Sequence, residues 1–96
     1  MTTEKGRKPR IAVIGECLVE LSGKLFGEMR QTFGGDTLNT ALYLARVARG
    51  EIGVSYITAM GEDVLSNAMV RRWEDDGIDT SHVLRDETRL PGLYLI

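Results

Sequence analysis

Four consecutive apolar residues, Ile11-Ala12-Val13-Ile14, closed by Gly15, set the strongest constraint on how this chain folds. A short β-branched run with no polar alternation suits a central strand of a parallel sheet, covered on both faces. From Asp36 the apolar period changes. Leu38, Ala41, Leu42, Ala45 and Ala48 recur at the i, i+3, i+4 spacing of an amphipathic helix. Asp36 or Thr37 is placed to cap its start, and Gly50 to end it. Val54, Tyr56, Ile57 and Thr58 favour a second strand, closed by Gly61. A second helix opens at Glu62 or Asp63, offers Val64, Leu65, Ala68, Met69 and Trp73 as its apolar side, and stops at Gly77. Ile78 to Leu84 reads as a short strand or extended link, and Leu93 to Ile96 begins another strand. The order strand, helix, strand, helix, strand implies right-handed crossovers and a parallel α/β sheet.

Between the first strand and the first helix the pattern is weaker. Cys17 to Leu21 alternates loosely and reads as extended, while residues 22–31 are polar, contain Gly23 and Gly27, and read as a loop or small hairpin tip. At 96 residues the chain is one small domain or part of a larger one. It stops on Gly92-Leu93-Tyr94-Leu95-Ile96, inside an apolar run, and two crossover helices cannot cover both faces of three parallel strands. The expectation is the N-terminal piece of a longer protein. Residues 1–10, with Lys5, Arg7, Lys8 and Arg10, read as a flexible basic tail.

Charge and cysteine content exclude several functions. Twelve Lys and Arg against 14 Asp and Glu give a net charge of -2, which argues against nucleic acid as the partner. One cysteine, Cys17, excludes an intramolecular disulfide and a cysteine-built metal site, and its apolar setting suits an inert thiol. No apolar run approaches the roughly 20 residues that span a bilayer, and no signal-peptide core follows the basic start. The expected setting is soluble and cytoplasmic, with no membrane partner.

Chemistry concentrates at Phe33-Gly34-Gly35-Asp36-Thr37-Leu38-Asn39, a glycine pair immediately before a helix. Paired glycines let backbone approach a ligand, and the helix start offers unpaired N–H groups. Asn39, one turn in, can direct a donor and an acceptor at a hydroxyl or carboxylate. A tight loop with Asn39 in solvent fits the same pattern. The segment is neither Gly-x-x-x-x-Gly-Lys-Ser/Thr nor Gly-x-Gly-x-x-Gly. Glu16 and Glu20 follow the first strand, where open α/β sheets place ligands, so they are either acceptors for sugar hydroxyls or solvated surface acids. His82 lies in a polar link without visible metal-binding companions, Met69 and Trp73 read as core, and Asp75-Asp76 as surface.

The ordered set Ile11–Glu16, Phe33–Ala41, Met60-Gly61-Glu62-Asp63, Asp76–Thr80 and Arg89–Tyr94 resembles the N-terminal third of ribokinase-like (PfkB-type) carbohydrate kinases. Gly15–Leu21, Thr37-Leu38-Asn39 and Leu90–Tyr94 favour the subgroup acting on keto-deoxy sugar acids. The resemblance implies a large α/β domain with a small β-sheet lid, the lid segments lying near residues 16–32 and 89–96. It implies ATP-dependent phosphorylation of 2-keto-3-deoxygluconate to its 6-phosphate, with Mg²⁺ on the nucleotide phosphates. Gly34, Gly35 and Asn39 match positions that hold the sugar acid, and Tyr94 an aromatic that contacts it. Glu20 stands where many relatives carry an Asp that binds sugar hydroxyls. The general base and the ATP contacts belong to a Gly-Ala-Gly-Asp region that these residues do not include, so no catalytic residue is assigned here. If Tyr94 faces the sugar, strand alternation puts Leu93 and Leu95 on a buried side. A homodimer through the lid would hide its unpaired edge. The rival readings are a kinase for fructose, ribose or a nucleoside, and a non-catalytic sugar-binding or dimerising module.

Overall fold

A computed structural model describes residues 8–96. In chain order the elements are β1 (Arg10–Ile14), β2 (Leu18–Gly23), β3 (Met29–Gly34), α1 (Asp36–Ala48), β4 (Gly53–Ile57), β5 (Ala59–Met60), α2 (Val64–Asp75), β6 (Ile78–Asp79), β7 (Leu84–Arg85) and β8 (Gly92–Leu95). The expected strand–helix alternation is present as β1-α1-β4-α2-β6, and these three strands form a parallel sheet in the order β1-β4-β6. The remaining strands do not join it. β2 pairs antiparallel with β3 and parallel with β8 in a second sheet, and β5 pairs with β7 in a third.

Two crossovers running the same way across a sheet leave both helices on one face. That face carries Val54 and Tyr56 of β4, both buried, against Leu38 and Ala41 of α1 and Met69, Val70 and Trp73 of α2. Trp73 centres the packing, edge-on to Tyr56 at 5.3 Å and to Phe33 of β3 at 6.3 Å. Phe33 and Val19 thereby bring the second sheet into the same core.

Several expectations are corrected. Among the described strands β4 is the middle one and β1 lies at the edge with Ile14 exposed, so this part of the protein does not supply the expected cover on both sides of β1. Val13 packs against the core, whereas Ile14 points to a side that nothing among the described residues covers. Residues 22–31 do hold the tip of a hairpin, as one of the two readings had it, but the turn is confined to 24–28 and strand runs on either side of it as β2 and β3. The inner side of α2 is Ser66, Met69, Val70 and Trp73, while Val64, Leu65 and Ala68 face outward. Gly35, not Asp36 or Thr37, occupies the N-cap of α1. The helix ends at Arg49 with φ 51°, and Gly50 follows at φ 83°. Of the basic tail, residues 1–7 lie outside the described residues. Pro9 accepts a hydrogen bond from Gly53 at 2.8 Å, Lys8 Nζ donates to the Gly50 carbonyl at 3.0 Å, and Arg10 already begins β1.

Asp63 caps α2 as expected. Its carboxylate accepts from the Ser66 backbone N–H at 3.1 Å and from the Ser66 hydroxyl at 2.6 Å, and the hydroxyl bond foremost lowers its pKa. A folded value below the unfolded one means the contribution is full above the ordinary carboxylate range and is lost as pH falls through it. Asp63→Ala is therefore expected to cost about 1 kcal/mol at neutral pH, with the gap in melting temperature narrowing below about pH 4. A pH series of thermal unfolding on both proteins checks it.

Candidate functional site

The chain enters or leaves the second sheet three times: after Gly15 and at Gly34-Gly35, where it exchanges with the parallel sheet, and at Pro91-Gly92, where it arrives from β7 of the third sheet. The first two crossings touch. Gly35 has φ 119°, and a Cβ on it would lie 2.8 Å from the Glu16 carbonyl oxygen and 3.2 Å from Cys17 Cα. Only glycine combines that dihedral with that approach. Gly34 is buried with the Glu20 carboxylate lying over its Cα, in the space a side chain would need.

The strand register sorts the second sheet into two faces. Glu20 pairs with Thr32 on one side and Tyr94 on the other, and Leu18 with Gly34 and Gly92. Registered partners share a face, and alternate residues take the other. Leu18, Glu20, Thr32, Gly34 and Tyr94 therefore line one side. Val19, Leu21, Phe33, Leu93 and Leu95 line the side turned to Trp73. The alternation of Tyr94 against its leucines is as expected, but the burial is not. Leu93 and Leu95 are 64% and 54% exposed, because β8 runs at the sheet's edge, where no described element lies over them.

The five residues named from the sequence thus lie near one another. Glu20 lies against Gly34, Gly35 follows, and the backbone N–H of Asn39 donates to the Gly35 carbonyl at 2.9 Å. Asn39 itself is exposed on the first turn of α1, and Tyr94 joins the patch through its register with Glu20. The patch offers a carboxylate, an amide and a phenol around a backbone with no side chains, a set suited to a polyhydroxy ligand.

Thr37 has a role that the capping pattern did not show. Its hydroxyl turns away from the helix axis to the Glu16 carbonyl at 3.1 Å and the Tyr56 hydroxyl at 2.9 Å. Only tertiary structure brings Tyr56 there, so no sequence signal marked it. A cavity of about 340 Å³ beside the crossings is bounded by Glu16, Cys17, Leu18, Thr58, Met60 and Arg89–Gly92. Neither Asn39 nor Tyr94 lines it. Cys17 is pushed up to about 11, chiefly by burial, and its thiol lies 3.4 Å from Met60 Sδ, so it stays protonated at neutral pH. Gly61 explains the tight approach of the third crossing, since a side chain there would strike the Arg89 carbonyl. His82 is exposed. Among the described residues no three His, Cys, Asp or Glu could hold a metal ion, and no helix is long and apolar enough to cross a membrane.

A parallel α/β sheet that hands its chain to a small separate β-sheet, with a Gly-Gly-x-x-x-Asn helix start at the crossing, defines a ribokinase-like sugar-kinase fold. The chain matches the pfkB family of carbohydrate kinases over residues 8–96 and belongs to that family. It is 57% identical over 88 residues to the 2-dehydro-3-deoxygluconokinase of Haemophilus influenzae, covering 91% of this chain and 28% of that protein. The chain therefore spans little more than a quarter of the length of that curated relative. Among solved structures, the 2-dehydro-3-deoxygluconokinase of Thermotoga maritima superposes with a TM-score of 0.80 at 22% identity, over 91% of this chain and 27% of that one. A fructokinase with bound ATP from Xylella fastidiosa gives 0.80 at 24% identity, over 90% and 26%. These likenesses fix the fold.

Proposed function

We propose that the protein to which this chain belongs is an ATP-dependent kinase that phosphorylates 2-keto-3-deoxygluconate on its primary hydroxyl. The observation that carries this reading is the 57% identity with a 2-dehydro-3-deoxygluconokinase across nearly the whole described chain. In this reading the Glu20, Gly34, Gly35, Asn39 and Tyr94 patch holds the sugar acid. The glycines let the ligand lie against the backbone, Asn39 bonds a hydroxyl or the carboxylate, Glu20 accepts from a hydroxyl, and the Tyr94 ring packs on carbon–hydrogen edges. The substrate hydroxyl is the nucleophile, so these residues position and desolvate it and form no covalent bond.

ATP supplies the phosphoryl group when bound. In this reading Mg²⁺ would accompany the nucleotide and neutralise phosphate charge there. A cytoplasmic location, where ATP is supplied, goes with the same reading. So does a homodimer through the second sheet, whose β8 edge carries exposed Leu93, Leu95 and Ile96.

The test is turnover by the full-length protein with ATP. The expected product is a 6-phosphate of 2-keto-3-deoxygluconate, identified by phosphorus NMR, formed in preference to phosphates of fructose, ribose or a nucleoside. Preference for one of those three instead would replace the sugar acid in this reading, and no transfer to any of them would favour a binding module.

A further inference from the structure

Thr37 has no task in the sugar-binding patch, yet its surroundings are closely built. Its hydroxyl reaches the Glu16 carbonyl oxygen at 3.1 Å and the Tyr56 hydroxyl at 2.9 Å. A carbonyl only accepts, so the single Thr37 proton goes to Glu16, and Tyr56 donates to Thr37 Oγ1. One end of this relay is anchored in the parallel sheet and the other on the crossing that leads into the second sheet. Tyr56 is fully buried in β4, edge-on to Trp73 at 5.3 Å. Burial raises its pKa, so the phenol proton is present at neutral pH. Glu16 stands on the first crossing, two residues before β2.

Two glycines complete the joint. A side chain on Gly15 would collide with Thr37, and a Cβ on Gly35 would sit 2.8 Å from the Glu16 carbonyl oxygen. That carbonyl is thus held between the Thr37 hydroxyl and the Gly35 backbone. We infer that Thr37 is a positioning residue for the sugar acid. Through the Glu16 carbonyl it fixes the root of β2, which carries Glu20, against the start of α1, which carries Asn39 and follows Gly34-Gly35. The inference rests on the kinase reading above.

The test is made in the full-length protein with Thr37→Val, which keeps the side-chain shape and loses both hydrogen bonds. The KM for 2-keto-3-deoxygluconate is expected to rise about 5- to 10-fold, the loss of one to two neutral hydrogen bonds' worth of positioning, with the KM for ATP unchanged. Thr37→Ser keeps the hydroxyl and should bring the KM back to within about twofold of the unmodified protein. Tyr56→Phe removes one end of the relay while Thr37 still reaches Glu16, so a rise of about 2- to 3-fold is expected. A lowered melting temperature with an unchanged sugar-acid KM in Thr37→Val, or a Thr37→Ser protein as impaired as Thr37→Val, would overturn the inference. If Thr37→Val does not fold, an unchanged KM in Tyr56→Phe overturns it. Failure of the unmodified full-length protein to phosphorylate 2-keto-3-deoxygluconate overturns the kinase reading and this inference with it. Normal turnover with no Thr37 effect overturns the inference alone.

Discussion

Replacing Trp73 by alanine is expected to destabilise the protein by about 3–5 kcal/mol, the largest loss of any single core truncation here. Trp73 is 0% exposed and touches both the parallel sheet, through Tyr56, and the second sheet, through Phe33. Its removal leaves a cavity between two sheets joined by short crossings, which cannot collapse without moving the crossings themselves. Trp73→Phe should cost much less. It keeps an aromatic ring edge-on to Tyr56, and the indole N–H it discards has no hydrogen-bond partner among the described residues. Denaturant unfolding of both variants decides the matter. A Trp73→Ala loss below about 1 kcal/mol would place the tryptophan outside the core.

Asn39→Ala in the full-length protein is expected to lower kcat/KM for 2-keto-3-deoxygluconate by about 5- to 150-fold, or 1–3 kcal/mol of lost hydrogen bonding to the ligand. Stability should hold or rise by a few tenths of a kcal/mol, since Asn39 is exposed and alanine is the better helix former. That split between activity and stability separates the two readings that the sequence left open. An unchanged kcat/KM would return Asn39 to a solvated helix surface, and the sugar acid would then need other anchors than the start of α1.

Much of the patch was legible because its signals are local. A glycine pair before a helix is visible from composition, and the Gly35 dihedral of 119° shows what it is for. Asp63 was legible as a cap because a carboxylate three residues before Ser66 needs no tertiary partner. The α2 face was misjudged for a related reason. Hydrophobicity alone drew the arc through Val64, Leu65 and Ala68, whereas the buried side includes Ser66, a polar residue made burial-tolerant by its bond to Asp63. Strand β3 was missed because Met29-Arg30-Gln31-Thr32 lies on an exposed edge and shows no period of two.

The sequence by itself determined the alternation β1-α1-β4-α2-β6, the ends of α2, and the residues gathered at the start of α1, all of which follow from neighbours within a turn or a strand. Only the tertiary structure decided that β4 lies between β1 and β6, that β2, β3 and β8 leave the parallel sheet, and that Thr37 faces Tyr56 rather than its own helix. Those outcomes rest on pairings such as Glu20 with Tyr94, more than 70 residues apart in the chain. No local period records them, because a strand's own pattern states which side is apolar and not which strand lies beside it.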